Sequence, residues 1–187
     1  MAKAKIIGSG VYAPGEPISN EEVKQMAGVD FDSEKLEEKL GIKQRHIAHL
    51  RGIDETTADF ATNAASNAIK NAGIDPMDVG LFIVGSDTPE FISPCTALLV
   101  QGRIQGTQTW SGSFDINSSC ASFAIALDFA AAKMAADPTL KYAVVTGVYN
   151  MPSFFVEGDA FAYSIFADGA GSVVLERVED AETSGYI

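Results

Sequence analysis

Cysteine, histidine and tryptophan are scarce in this chain: two, two and one among 187 residues. Two cysteines without framework spacing exclude a disulfide scaffold and fit a reducing, cytoplasmic setting. There is no CxxC pair and no histidine-rich cluster, so no metal site is expected. No apolar run reaches membrane-spanning length, and Met1 to Ile7 is too short for a secretory signal. Cations are also few. Lysine and arginine number 13 against 25 acidic residues, a net charge of -12, which argues against nucleic-acid binding. The one candidate basic patch, Lys39, Lys43, Arg45, His46, His49 and Arg51, reads by default as a solvated loop. Internal repeats and low-complexity linkers are lacking as well. A hydrophobic fraction of 47% over this length fits one domain with a sizeable core.

The pattern present is strand–helix alternation. Ala4 to Tyr12 reads as a strand. Ser19 or Asn20 caps a short helix, and Asp32 or Ser33 caps a second one that runs to Leu40 and stops at Gly41. Thr56 or Thr57 opens a longer helix ending near Gly73, with Ala58, Ala61, Ala65, Ala68, Ile69 and Ala72 on one face. Val79 to Gly85 and Tyr142 to Gly147 are continuous apolar runs of the kind found in parallel sheets covered on both faces. Between them lie a helix from Cys95 towards Gly106 and a central strand over Phe114 to Ile116. Tyr149 to Tyr163 reads as irregular. Ser164 to Val178 reads as two strands joined through Asp168 to Gly171. The sum is an α/β layer on a mixed, mostly parallel sheet.

Phe114 to Ala136 is the stretch that carries chemistry. A short extended run turns through Asn117, Ser118 and Ser119 into a helix of about four turns. From Ala121 to Ala136 only Asp128 and Lys133 are charged, so this helix needs cover on nearly every side. One sheet with helices on both faces would leave its outer side wet, which calls for a further layer from a second domain or a second chain. Cys120 falls at the helix start, where unpaired N–H groups and the helix dipole favour a thiolate nucleophile. On this local pattern alone Cys120 is either a nucleophile on a strand–turn–helix elbow or a buried structural cysteine. Cys95, after Pro94, reads as structural.

Four segments taken together carry a resemblance: Gly41-Ile-Lys-Gln-Arg-His-Ile-Ala48, Thr88-Pro89 with Pro94, Asp115-Ile-Asn-Ser-Ser-Cys120-Ala-Ser-Phe123, and Phe166-Ala-Asp-Gly-Ala-Gly171. In order and spacing the chain resembles the β-ketoacyl-acyl-carrier-protein synthase III group of the thiolase-like enzymes. The resemblance implies one half of a five-layer αβαβα architecture, with residues 1–187 as the N-terminal domain. Hydroxymethylglutaryl-CoA synthases and long-chain head-to-head condensing enzymes share the layout and stay open.

The resemblance further implies an acyltransferase in fatty acid or polyketide synthesis, with Cys120 accepting an acyl group from a thioester before Claisen-type condensation. The partners it implies are an acyl carrier protein or coenzyme A thioesters, with malonyl-acyl-carrier protein as co-substrate and no further cofactor. The family's catalytic histidine and asparagine belong to a second half not found in these residues. This chain is therefore expected to be incomplete for condensation, and to form a homodimer or pair with a C-terminal half. The family tryptophan and arginine that clamp coenzyme A fall at Lys35 and Lys39, which could meet phosphate only as point charges. The family's aromatic gate falls at Ser93. Phe91, Phe154 and Phe155 are candidate acyl contacts. The competing reading is a non-catalytic thiolase-like binding or assembly module.

Overall fold

A computed structural model describes residues 3–106, 109–151 and 156–179. Strands β1 (Lys3–Tyr12), β4 (Val79–Gly85), β5 (Gly112–Ile116), β6 (Tyr142–Asn150) and β7 (Asp168–Val178) form one sheet in the order β1-β7-β6-β4-β5. The neighbours β5/β4 and β4/β6 are parallel, while β7 runs antiparallel to both β6 and β1. Four strands thus share one direction and β7 opposes them. A two-residue pair, β2 (Ile18–Ser19) and β3 (Gln44–Arg45), stands apart.

Strand alternation decides which residue meets which layer. Phe82, Val84 and Val144 point to one face, where helix α3 (Thr57–Ala72) lays Phe60, Ala61, Ala64, Ala65 and Ala68 against them. Helix α4 (Thr96–Gln105) completes that layer through Ala97 and Val100. Leu81, Ile83, Ala143 and Val145 point the other way, towards Ala126, Ala130 and Met134 of helix α5 (Ser122–Ala136). Two short helices, α1 (Asn20–Ala27) and α2 (Ser33–Leu40), lie beside the β2–β3 pair; Val23, Ile18, Ile47 and Tyr163 form a small core there.

The local signals set these helices as read. Ser19 and Glu22 form a capping box on α1, Thr56 and Asp59 another on α3, and Asp32 caps α2 by accepting from Lys35 N–H. Gly41 and Gly73 close α2 and α3 in the left-handed conformation.

Several expectations need correction. The extended run before Cys120, read as a central strand, is the edge strand β5. Residues 160–163, read as irregular, belong to helix α6 (Ala160–Ile165), whose N-terminal N–H of Ala162 is capped by Asp159. Residues 164–178 do not make two strands. Ser164 and Ile165 belong to α6, and β7 runs unbroken through Gly169-Ala-Gly171 because β1 and β6 supply hydrogen-bonding partners on both sides. The basic patch is solvated only in part: Lys39, Lys43, His49 and Arg51 are exposed. Arg45 is 5% exposed and donates to Asn20 Oδ1 and the Ser164 carbonyl, while Arg51 donates to the Glu16 and Pro17 carbonyls.

Helix α5 is apolar all round, as expected, but covered on one side only. Ile125 and Phe129 are 43% and 47% exposed, and Ala124 and Ala132 are exposed beside them. The helical segment Ser119–Ala136, 18 residues of mean hydropathy 1.3, is long and apolar enough to cross a membrane by length and composition. That revises the expectation of no such run. Its inner face is nevertheless the core layer just described, with Ala126, Ala130 and Met134 fully buried on the sheet.

What brings the start of α5 onto the sheet is a row of glycines. Gly85 pairs with Gly147, and Gly147 with Gly171, at one level across β4, β6 and β7. A Cβ on Gly85 would lie 2.7 Å from the Ser122 carbonyl carbon and 2.9 Å from Phe123 N; one on Gly147 would lie 3.1 Å from the Phe123 ring. Only side-chain-free positions let the helix backbone sit this close.

Candidate active site

β4 ends at this glycine row while β6 runs on to Asn150, and the residues at and just beyond the row build the site. After β5, Asn117 accepts the Ser119 N–H at 3.3 Å, and the chain turns through Ser119 with φ of +48°. Ser119 to Ala121 form a single 3-10 turn leading into α5. Cys120 therefore sits in the 3-10 turn that leads into α5, at the helix start where the sequence placed it. Its thiol is free and the residue is exposed, not buried.

Cys120 lies on a cavity of about 380 Å³. Gly85, Gly147 and Gly171 form its floor, Phe123 and Phe166 its apolar walls, and Ser86, Asp87 and Tyr149 its polar rim. Tyr149 packs against Phe166 with ring centroids 5.7 Å apart. Its phenol is pushed above the ordinary tyrosine range, first by burial and then by the charges of Asp87 and Cys120. Asp87, Tyr149 and Phe166 were missed as site residues. All three could have been found by asking what lies beyond the carboxyl ends of the parallel strands and at the start of β7.

Three contacts lock the motifs together around the thiol. Asp115, at the end of β5, accepts the N–H groups of Thr96 and Ala97 at 2.7 Å each, so its carboxylate caps α4. Thr88 gathers the loop after β4: its N–H donates to Ser86 Oγ, its hydroxyl accepts Asn150 N–H at 3.0 Å, and its carbonyl accepts the Thr57 hydroxyl. Asp168 joins the remaining two segments. Its N–H donates to the His46 carbonyl at 2.8 Å, and its Oδ2 accepts Ala48 N–H at 2.7 Å.

The other candidates stand elsewhere. Phe91 and Ser93 are exposed on the loop between β4 and α4 and do not line the cavity. Phe154 and Phe155 lie outside the described residues. Lys35 and Lys39 are exposed on α2, one turn apart and away from the thiol cavity. Cys95 is half-buried at the N-cap of α4, its Sγ 3.9 Å from the Ser113 carbonyl. His46 Nδ1 contacts the Pro14 and Gly15 carbonyls, and His49 Nε2 the Tyr163 hydroxyl. Among the described residues, no histidine lines the cavity, and no group of three histidine, cysteine or acidic residues could hold a metal.

With this geometry in hand, comparison with known proteins places the chain. The family model for 3-oxoacyl-[acyl-carrier-protein] synthase III matches residues 114–186. The chain is 35% identical over 177 residues to a β-ketoacyl-[acyl-carrier-protein] synthase III of Xylella fastidiosa, covering 95% of this chain and 52% of that one. It is 34% identical over all 187 residues to the protein of the same name from Wolbachia pipientis, covering 56% of it. The crystal structure of 3-oxoacyl-[acyl-carrier-protein] synthase III from Aquifex aeolicus superposes with a TM-score of 0.83 at 34% identity, over 95% of this chain and 55% of that one. The chain thus spans about half the length of the relatives it matches.

Asp168 yields a prediction. It is 5% exposed, and burial pushes its carboxyl up to about 6 against the opposing pull of the Ala48 N–H. A carboxyl raised on folding favours the native state when protonated. Its contribution is complete below the unfolded value near 4 and is lost as pH rises through about 6. Denaturant unfolding between pH 4 and 8 should therefore show wild type losing on the order of 2 kcal/mol relative to Asp168→Asn. Parallel pH profiles for the two proteins would contradict the assignment.

Proposed function

From a chain similar in sequence and fold to about half of the β-ketoacyl-acyl-carrier-protein synthases III it matches, we propose that its role is acyl capture: Cys120 takes an acyl group from an acyl-carrier-protein or coenzyme A thioester. The observation that carries this reading is an exposed free thiol at the mouth of α5, opening onto a cavity floored by three glycines. The thiolate attacks the thioester carbonyl, and the carrier thiol leaves. The tetrahedral oxyanion forms at the head of the helix, where the Cys120 N–H and the helix dipole oppose its charge.

Condensation asks for more than these residues hold. Making a carbanion from a malonyl thioester needs donors that stabilise an enolate, and in this family a histidine and an asparagine from a second half are expected to supply them. Asp87 and Tyr149 are poor substitutes. Asp87 offers an acceptor where a donor is needed, and Tyr149 supplies one hydroxyl in place of two donors. The isolated chain therefore acylates and does not condense. Lys35 and Lys39, exposed one turn apart on α2, are proposed to meet the phosphate of the carrier arm as point charges, weaker and less directional than a guanidinium fork.

The open side of α5 supports an assembly. Ile125 and Phe129 form an apolar strip that no part of this chain covers among the described residues. Burying such a strip is worth about 25 cal/mol per Å² of apolar area removed from water. A second copy, or a C-terminal half of similar build, is proposed to supply the missing layer. The two free thiols suit the reducing cytoplasm.

Mass spectrometry after incubation with a short acyl thioester should find the adduct on Cys120 in preference to Cys95. Cys120→Ser should abolish it, and adding a malonyl thioester should give no carbon–carbon bond product. Equal slow labelling of both cysteines would instead favour a non-catalytic module. Sedimentation at micromolar concentration should show a dimer or larger species; a well-behaved monomer would count against the uncovered strip as an interface.

A further inference from the structure

We propose that Ser122 is a positioning residue for the Cys120 nucleophile, its hydroxyl clasping the elbow on which the thiol stands. The inference rests on the reading of Cys120 as acyl acceptor and goes beyond it by naming what holds the thiol in place. Ser122 is 3% exposed, at the first position of α5. Its Oγ accepts the N–H of Ser118 at 2.9 Å and donates to the carbonyl of Ser119 at 2.7 Å. One hydroxyl thus closes the chain on both sides of the Ser118–Ser119 peptide unit, just ahead of Cys120.

The clasp matters because of what it holds. Ser119 has φ of +48°, the only described residue other than glycine with positive φ. A side chain disfavours that conformation, and such strained residues persist only where their surroundings over-determine them. Two restraints do so here: the Asn117 side chain takes the Ser119 N–H, and Ser122 takes the neighbouring N–H and carbonyl. The Asn117 bond is long, at 3.3 Å, and exposed, so the buried serine carries most of the restraint. No side chain caps α5 in the ordinary way: Ala121 stands at the cap position without a cap hydrogen bond. Ser122 itself is seated closely on the sheet, its carbonyl carbon 2.7 Å from the position a Cβ on Gly85 would take. The chain of support runs from the glycine floor to Ser122, from Ser122 to the strained turn, and from the turn to the thiol.

Losing the hydroxyl lets Ser119 relax to an ordinary backbone conformation and swings Cys120 off the helix axis. Ser122→Ala should therefore slow alkylation of Cys120 by iodoacetamide about fivefold, the worth of one net hydrogen bond. The rate at Cys95, measured in the same molecule, should not change. Ser119→Gly placed in the Ser122→Ala background should restore the Cys120 rate, since glycine holds positive φ unaided. Acyl transfer from a thioester should follow the same order across the variants. An unchanged ratio of Cys120 to Cys95 alkylation in Ser122→Ala, or a double variant no faster than the single one, would overturn the proposal. A drop in melting temperature alone, with the ratio unmoved, would reduce Ser122 to a packing residue. If wild type alkylates selectively at Cys120 but takes no acyl group, the acyl-acceptor reading fails while the clasp is still decided by the alkylation rates.

Discussion

A row of three residues without side chains decides where the chemistry of this protein can happen. Gly85, Gly147 and Gly171 lie side by side across the sheet, and the first turn of α5 rests on the first two of them. A Cβ on Gly85 or Gly147 would push the helix away from the strands, and with it the turn that holds Cys120. The same absence of side chains leaves open the floor of the cavity beside the thiol. Packing and site geometry are therefore one constraint here. The energetic consequence is a helix whose inner face is fully committed to the sheet, while its outer face still has apolar surface in water.

Around that seat, segments far apart in sequence are tied by single polar side chains. Asp115 fastens the end of β5 to the start of α4, and Thr88 fastens the β4 loop to β6 and α3. Asp168 fastens the start of β7 to the segment around His46 and Ala48. Each is a short polar residue whose bonds go to backbone groups that would otherwise be buried without partners. This explains why these residues fall within the recognisable motifs although only Cys120 is proposed to react. Most of the motif residues build the elbow's surroundings, and the reaction needs that scaffold to be stiff.

Much of this was legible from the chain alone, and for local reasons. Ser19, Asp32 and Thr56 announce helix starts, Gly41 and Gly73 announce stops, and the alanine face of α3 has a period that only a helix fits. Cys120 stood out because strand, turn and apolar helix follow one another within a short window. What local pattern could not carry was the pairing. Gly169-Ala-Gly171 has the composition of a turn, yet it is extended because two neighbouring strands bond to it. The run before Cys120 looks like a core strand, yet β5 lies at the sheet edge. Helix α6 is too short for periodicity to register, though Asp159 was a cap signal. The rim of the site, Asp87 and Tyr149, depends on which strand ends meet, a non-local fact. The strain at Ser119 depends on backbone geometry that residue type does not show.

The central claim is that the sulfur of Cys120 is the atom that takes the acyl group. A crystal of the protein soaked with a short acyl-coenzyme A tests it most directly. The account predicts continuous density from Cys120 Sγ into the cavity over the glycine floor, with the thioester oxygen turned towards the Cys120 N–H. An unmodified Cys120, or an adduct on Cys95 instead, would contradict it.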